Sequence, residues 1–474
     1  MSKVTRATTQ ATRHDPINAP YWWDQSRPPS LSIRAVPTEC DVAVIGAGYT
    51  GLSAALVLAR AGRSVQIFER ERPGDGAATR NAGIVTASLA TDVATVTRQR
   101  GTEVARAVFT EAREAWNSLA VMIRDEGIDC GFEVCGSVQG ALWPRQLDAM
   151  AREAEFCQSR LGVDARTLLG AQVSEELGST RYIGALVRPD VAVLDPARLH
   201  AGLLKLAMDA GARVHTETAV TGIRQSRQGR HELQTMRGRT TAREVLVATN
   251  GYTDRSDPWL SRRVIGIPSG MIALRTPDPK RLRHWLPRGR VLMEKRRMRH
   301  QLRIADGGRT LLFGGLSSMA ELRQHRVVNT LRTELLKIFP DLEPARVTHV
   351  WQGLTGFSRE QLPRLFERRA VRYVGGFNGV GIALANWLGR KAAWQILEDE
   401  RGHSVFEANP PGFVTLYPGH RWFLPATASY LRLRDRLDQR GRATGSRAAV
   451  VDVMDPGEAM DTQATRQPDQ QEHT

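Results

Sequence analysis

Residues 42–69 read VAVIGAGYTGLSAALVLARAGRSVQIFE. The β-branched run Val42–Ile45 enters Gly46-Ala47-Gly48-Tyr49-Thr50-Gly51, which opens an amphipathic helix. The helix stops at Gly62, a second apolar run covers Val65–Phe68, and Glu69 closes it. Strand, glycine-rich turn, helix, strand and acid in this order predict a βαβ unit that binds a dinucleotide. Gly46 permits the tight turn, Gly48 lets backbone approach a diphosphate, and Gly51 lets the helix pack against the strand. The helix N-terminus, beginning at Tyr49 and Thr50, offers unpaired N–H groups and a partial positive charge to phosphates. Glu69, followed by Arg70, stands where a carboxylate accepts ribose hydroxyls, which disfavours a 2′-phosphorylated ligand.

The rest of the chain bounds this reading. Its 474 residues allow two or three domains, and 41% hydrophobic composition supports a large core. The formal charge of +16 comes from 66 basic against 50 acidic residues, a field that concentrates anions non-specifically. Cys40, Cys130, Cys135 and Cys157 are too few and too irregular for a disulfide framework or a zinc site, so Cys130 and Cys135 read as buried thiols and no metal is expected. No apolar run approaches a membrane span, and no apolar core follows the N-terminal charges. The expectation is a cytoplasmic protein with no membrane partner.

Residues 1–37 are polar and proline-rich and read as a surface arm, which Tyr21, Trp22 and Trp23 pin to the body. Helical periodicity covers about 101–126 and 145–161, with a short strand at Ser137–Trp143 between them. Asp195-Pro196 marks a helix start that runs to Gly211. Strands follow at about 212–226 and 230–237, and Glu244–Thr249 is a buried strand ending in Asn250-Gly251. Several strands are expected over 263–315, then a helix at about 326–339 and a strand to Trp351. Tyr373–Phe377 is a strand that turns through glycines into a helix from 379 to about 399. From about 440 the composition predicts a disordered tail. Only one dinucleotide fingerprint is present, which argues for one tightly held dinucleotide and a small-molecule electron donor.

Taken together, these segments resemble the FAD-dependent oxidoreductases of the D-amino-acid oxidase and glycine oxidase family, nearest its γ-glutamylputrescine oxidase-like branch. The resemblance runs from about Tyr21 to about residue 402. It rests on Gly76-Ala77-Ala78-Thr79-Arg80-Asn81-Ala82-Gly83, Val193–Pro196, Ala248-Thr249-Asn250, Trp351-Gln352-Gly353, Ser358–Pro363 and Gly376-Phe377-Asn378-Gly379-Val380-Gly381. It implies an α/β protein with a discontinuous Rossmann-like FAD-binding domain (38–92, 187–262 and 346–404). A mixed or antiparallel-sheet substrate domain (93–186 and 263–345) is inserted into it, and 405–474 is a partly disordered extension. The flavin ring is expected between the domains. Ala78, Thr79, Arg80, Asn81, Gly83, Val220, Thr249, Asn250 and Gly251 are implied as cofactor residues, as are Gly376 through Gly381 and Ile382. Glycines at the start of the late helix would let its N–H groups approach the flavin and stabilise the negative charge of reduction.

Departures from the family pattern refine the chemistry. The last cysteine is Cys157 and residues 76–83 hold no histidine, so the expectation is non-covalent FAD. Where sarcosine oxidases carry two lysines, this chain has Leu312 and Ala383, which argues against sarcosine and leaves the acceptor as oxygen or another electron carrier. Val380 replaces the family's histidine, and Ala78 an expected hydroxyl. The implied reaction is oxidation of a C–N bond in a small amine or amino acid: hydride passes from the α-carbon to flavin N5 and water hydrolyses the imine. That chemistry needs positioning rather than a general base. Arg303 lies two positions from the carboxylate-binding arginine of glycine oxidases, on the same strand face, and is suited to hold a carboxylate. Trp351 and Met271 are candidate pocket walls. Two alternatives are a flavin dehydrogenase that uses an acceptor other than oxygen and a tRNA-modifying flavoprotein. The latter is suggested by the arginine-rich segment Lys280–Arg303, although such a run is usually a solvated face.

Overall fold

An uninterrupted apolar run suits a strand covered on both faces, and β1 (Glu39–Ile45) is one: Val42, Ala43 and Val44 are fully buried. The other elements that shape the site are α1 (Tyr49–Arg60), β2 (Val65–Phe68), α2 (Pro196–Asp209), β3 (Gly238–Val247) and β4 (Val264–Arg275). Beyond them come β5 (His300–Ala305), β6 (Arg346–Ser358), β7 (Val371–Gly375) and α3 (Gly381–Ile396). This is a computed structural model describing residues 15–276, 278, 280–316, 319–342, 345–414 and 421–439.

β1 pairs in parallel with β2 on one side and β3 on the other, and β7 runs parallel to the end of β3. Further strands complete an eight-stranded sheet, among them the parallel Arg213–His215 and the antiparallel Val220–Gln225 and His231–Thr235. β1, β2, β3 and β7 all finish at one edge, where open α/β sheets bind ligands. Against this sheet, α1 and α3 cross with their backbones nearly touching. A Cβ on Gly389 would fall 2.3 Å from the Thr50 carbonyl oxygen. Asn386 of α3 donates to Ser53 Oγ of α1 at 2.7 Å.

The second sheet is also eight-stranded and antiparallel except where Val291–Glu294 meets Ser137–Ala141. It carries its own core, including Trp285, Phe313, Leu331 and Phe339. Two boundaries differ from the sequence expectation. β6 pairs with β4 from Ser358↔Val264 to Arg346↔Arg275, so 346–358 belongs to this sheet and not to the dinucleotide-binding one. Helix Thr102–Asp125, assigned to the substrate domain, shares the core of α1 and α3 through Phe109, Ala115 and Leu119. Glu111 within it accepts from Trp387 Nε1 at 2.8 Å.

The arm is pinned as expected. Ile17 exchanges backbone hydrogen bonds with β6, and Trp22 is 4% exposed with its Nε1 donating to the Asn81 carbonyl at 3.0 Å. The C-terminal extension holds more structure than its composition suggests. Helix Leu424–Gln439 seats Leu424 and Ala428 against Ile265, Ile267 and Met298. Arg297 bonds Asp435 at 3.1 Å and Asp438 at 2.7 Å to hold it. Residues from 440 onward lie outside the described residues. Among the described residues no helix is long and apolar enough to cross a membrane, and no group of side chains is placed to hold a metal ion. The cysteines are free; Cys130 is buried and Cys135 half-buried.

Candidate functional site

The fingerprint glycines have three different physical tasks. Gly46 turns the chain at φ +104°, where a Cβ would stand 3.1 Å from the Ala248 carbonyl oxygen. At Gly51 a Cβ would lie 1.9 Å from the Gly46 carbonyl oxygen and 3.1 Å from Val44 Cγ1, so a bare backbone is what lets α1 close on β1. At Gly48 a Cβ would meet nothing within 4 Å, because that position faces an open cavity.

Gly48 is the N-cap of α1 and Val380 that of α3, and neither end has a side-chain cap. Both open into the same cavity of about 850 Å³, within the size range of cofactor sites. Uncapped N–H groups and the helix dipoles give it two positive poles. The cavity is lined by Phe68, Glu69, Arg70 and Val220, by Gly46 to Thr50 and Ala78, and, with strands of the second sheet, by Pro268, Gln301, Glu321 and Gln352. Glu69 receives the Ala47 N–H at 2.8 Å and the Glu71 N–H at 3.1 Å. Burial pushes its carboxyl up from the ordinary range, and these two bonds oppose that rise. Arg70 bonds Asp254 at 2.8 Å, and both line the cavity. Beneath the fingerprint, buried His200 bonds the Ala47 carbonyl at 2.8 Å. A carbonyl only accepts, so Nε2 carries the proton, and burial lowers the ring's proton affinity.

The segment after the fingerprint is a knot of local bonds. Asn81 Nδ2 donates to the carbonyls of Ala77 and Ala78, and its Oδ1 accepts from Gly83 N at 2.8 Å. Thr79 Oγ1 donates to the Gly74 carbonyl at 2.6 Å and accepts from Trp23 Nε1 at 2.9 Å. Arg80 Nε bonds the Asp75 carbonyl at 2.7 Å and Nη1 the Gln352 carbonyl at 3.2 Å. On the far side Asn250 Oδ1 accepts from Gly376 N at 2.9 Å, and Asn378 Oδ1 from Ser358 N at 2.9 Å.

A diphosphate suits the open turn at Gly48, a ribose the carboxylate of Glu69, and a ring that gains negative charge the uncapped end of α3. This donor set fits FAD. Residues 41–395 match the family described as "DAO: FAD dependent oxidoreductase". The chain belongs to that family and is an FAD-dependent enzyme. It is 29% identical over 405 residues to gamma-glutamylputrescine oxidoreductase of Escherichia coli K12, spanning 84% of this chain and 93% of that protein. It is 26% identical over 384 residues to glycine oxidase of Geobacillus kaustophilus, spanning 78% and 95%. The crystal structure of glycine oxidase from Geobacillus kaustophilus matches with a TM-score of 0.65 at 23% identity, over 77% of this chain and 96% of that one, a likeness of fold.

Of the residues expected at the cofactor in this oxidoreductase, Tyr49, Thr50, Arg80, Asn81, Thr249, Asn250, Phe377, Gly379, Gly381 and Ile382 line the cavity with those already named. Thr79, Gly83, Gly251, Gly376, Asn378 and Val380, like Gly51, are outside its lining. Several of these shape it from behind. A Cβ on Gly83 would lie 2.1 Å from the Leu194 carbonyl oxygen, and one on Gly251 2.7 Å from Gly356 N.

The three residues expected to contact substrate stand elsewhere. Arg303 is 7% exposed and is not among the lining residues of the cavity. Its Nη1 is engaged by the carbonyls of Ala82 (3.2 Å), Gly83 (2.8 Å) and Leu194 (2.8 Å), and its guanidinium stacks 5.3 Å from the Trp22 ring. With Nε and Nη1 committed to main-chain carbonyls and the residue outside the cavity lining, Arg303 stands as a brace between these segments rather than as a lining residue. Met271 and Trp351 pack with Trp22, Ala82 and Leu312 behind the wall, and Trp351 Nε1 donates to the Arg80 carbonyl at 2.9 Å. They are core, not lining. The residue of that strand which does line the cavity is Gln301, on the same face two positions earlier. Alternation puts it on the face of Arg303 without singling it out, and nothing in the sequence marks Glu321, Leu322 or Trp23 as lining.

The central part of the arginine-rich segment is paired with carboxylates within the fold. Glu176 pairs with Arg288 and Arg290, Glu294 and Glu334 with Arg296, and Trp285 is buried. These pairs remove much of the field that a phosphate-tracking surface needs.

Proposed function

We propose that the protein oxidises the C–N bond of a small amine or amino acid with FAD bound non-covalently. The observation that carries this reading is the meeting of two uncapped helix ends in one cavity whose far wall comes from the second sheet. Bound FAD supplies the hydride acceptor: the α-C–H bond breaks with its electron pair, the nitrogen lone pair forms C=N, and water then hydrolyses the imine to a carbonyl compound and the released amine. The chain's part is to bind, orient and exclude water. Gln352 fixes the neighbouring loop by accepting from Leu322 N at 3.1 Å and donating to the Leu322 carbonyl at 2.8 Å, which sets Glu321 and Leu322 against the cavity. Gln301 offers an amide that both donates and accepts, suited to a neutral amine or a carboxylate oxygen. Neither cysteine nor histidine is among the described lining residues, which supports non-covalent binding.

The test is anaerobic mixing of the FAD-loaded protein with polyamines, N-methyl amino acids and D- and L-amino acids. At least one class should bleach the flavin. Bleaching by dithionite but by no amine would reject the reading.

A second reading concerns the acceptor. No lysine is among the described lining residues, and Leu312 is fully buried in apolar packing. This favours a dehydrogenase that passes electrons to a carrier other than oxygen. Turnover with a quinone or dye far above that in air supports it; equal turnover removes it.

A further inference from the structure

The family match begins at residue 41, yet Trp23 lines the cavity. Its indole is held by two contacts. Nε1 donates to Thr79 Oγ1 at 2.9 Å, Thr79 is itself anchored to the Gly74 carbonyl, and the Arg80 guanidinium lies 4.8 Å over the ring. Arg80 then reaches the Gln352 carbonyl of β6. Trp23, Arg80 and Gln352, all lining residues, therefore make one continuous wall from the arm to the second sheet.

The arm that carries Trp23 is fastened to both β6 and α2. Ile17 N donates to the Thr348 carbonyl at 2.8 Å and Val350 N to the Ile17 carbonyl at 2.9 Å. Asp24 lies 3.0 Å from His349 Nε2 on β6, and Gln25 accepts from Arg198 of α2 at 3.0 Å. Trp22 ties the same turn to the segment after the fingerprint through the Asn81 carbonyl. A segment kept only to cover surface needs none of these long-range ties. Their common effect is to fix one large, rigid ring against the cavity, with few rotamers to lose on ligand binding.

We propose that Trp23 is a specificity-determining residue: it walls the redox end of the cavity, limits the bulk carried by the reacting amine, and shields the flavin from solvent. The size limit rests on the amine reading above; the shielding does not. The experiment uses the full-length, FAD-loaded protein and its Trp23→Ala and Trp23→Phe variants. One readout is quenching of flavin fluorescence by neutral acrylamide; the other is the kcat/KM ratio of bulky to small amines in a graded series. Trp23→Ala should raise the quenching constant severalfold and shift the ratio toward bulky amines by about tenfold or more, through KM rather than kcat, as removal of a pocket wall does. Trp23→Phe should stay near wild type in both. If Trp23→Ala does not fold, Trp23→Leu is measured instead with the same expectations at smaller size. Unchanged quenching and an unchanged ratio in a variant that retains FAD would overturn the proposal. Raised quenching with no amine oxidised by any form would uphold the shield and reject the amine reading.

Discussion

Gly48→Ala and Gly51→Ala differ by three positions in one turn and should fail in different ways. At Gly51 the new Cβ meets the Gly46 carbonyl oxygen at 1.9 Å and Val44 Cγ1 at 3.1 Å. Relief to an ordinary contact requires α1 to move by more than ~1 Å, and overpacking of this kind costs ~1–3 kcal/mol, only partly offset by alanine's helix preference. The apoprotein should therefore lose stability, and FAD should bind more weakly because the helix end has shifted. At Gly48, φ is −82° and nothing stands within 4 Å of the new Cβ, so the apoprotein should unfold within ~1 kcal/mol of wild type. The methyl group instead occupies the space left for a diphosphate. Loss of one or two charge-assisted N–H bonds at ~1.5–3 kcal/mol each would weaken FAD by roughly tenfold to more than a hundredfold. Denaturant unfolding of each apoprotein and equilibrium FAD titration separate the two effects. Wild-type FAD affinity in Gly48→Ala would refute the placement of the diphosphate, and an undisturbed apoprotein in Gly51→Ala would refute the packing argument.

Three further outcomes follow from the same geometry. Arg303→Leu leaves the Ala82, Gly83 and Leu194 carbonyls without their buried donor and should cost ~2–4 kcal/mol by urea unfolding. Surviving enzyme should lose no selectivity between carboxylate-bearing substrates and simple amines, and a selective loss would restore Arg303 to the site. Stability should fall with acid in two stages. His200 has a folded proton affinity below its ordinary value of 6.5, so its contribution is present above that pH and is lost as pH falls through and below it. Burial pushes Glu334 up, but bonds from Lys337 and Arg296 hold it at about 2, so its contribution is lost between about 4.5 and 2. His200→Gln should flatten the first stage and Glu334→Gln the second in denaturation curves taken across pH; an unchanged profile would contradict the assignment. Gly389→Val should separate α3 from α1, whose Thr50 carbonyl lies where the new Cβ would go, and should lower both thermal stability and FAD affinity. Wild-type behaviour would mean that the helices do not touch there.

What was legible in the sequence is what is decided locally. The tasks of Gly46, Gly48 and Gly51 follow from a turn, an approach and a packing contact within ten residues, and Asp195 caps α2 through the N–H groups of Ala197 and Arg198, as its position before Pro196 suggests. Pairing partners are not local. The pattern identifies a strand as far as about Trp351, but a buried strand reads alike in either sheet, and β4 claims it over 346–358. Alternation puts Gln301 and Arg303 on one face without saying which reaches the cavity. That is settled by carbonyls at 82, 83 and 194, far away in the chain. The charge of 288–297 likewise looked free only because Glu176, Glu334, Asp435 and Asp438 arrive from elsewhere. Helix Leu424–Gln439 was missed for a related reason: its polar sequence docks through a few apolar residues, and the seat they occupy is made by other strands.

The most direct test of the account is a crystal structure of the FAD-bound protein. The diphosphate is expected on the backbone N–H groups at Gly48–Thr50, a ribose at Glu69, and the flavin ring between the first turn of α3 and the Gln301–Gln352 wall, with no covalent bond to the chain. A diphosphate away from the fingerprint, or a ring turned from α3 toward solvent, would contradict it.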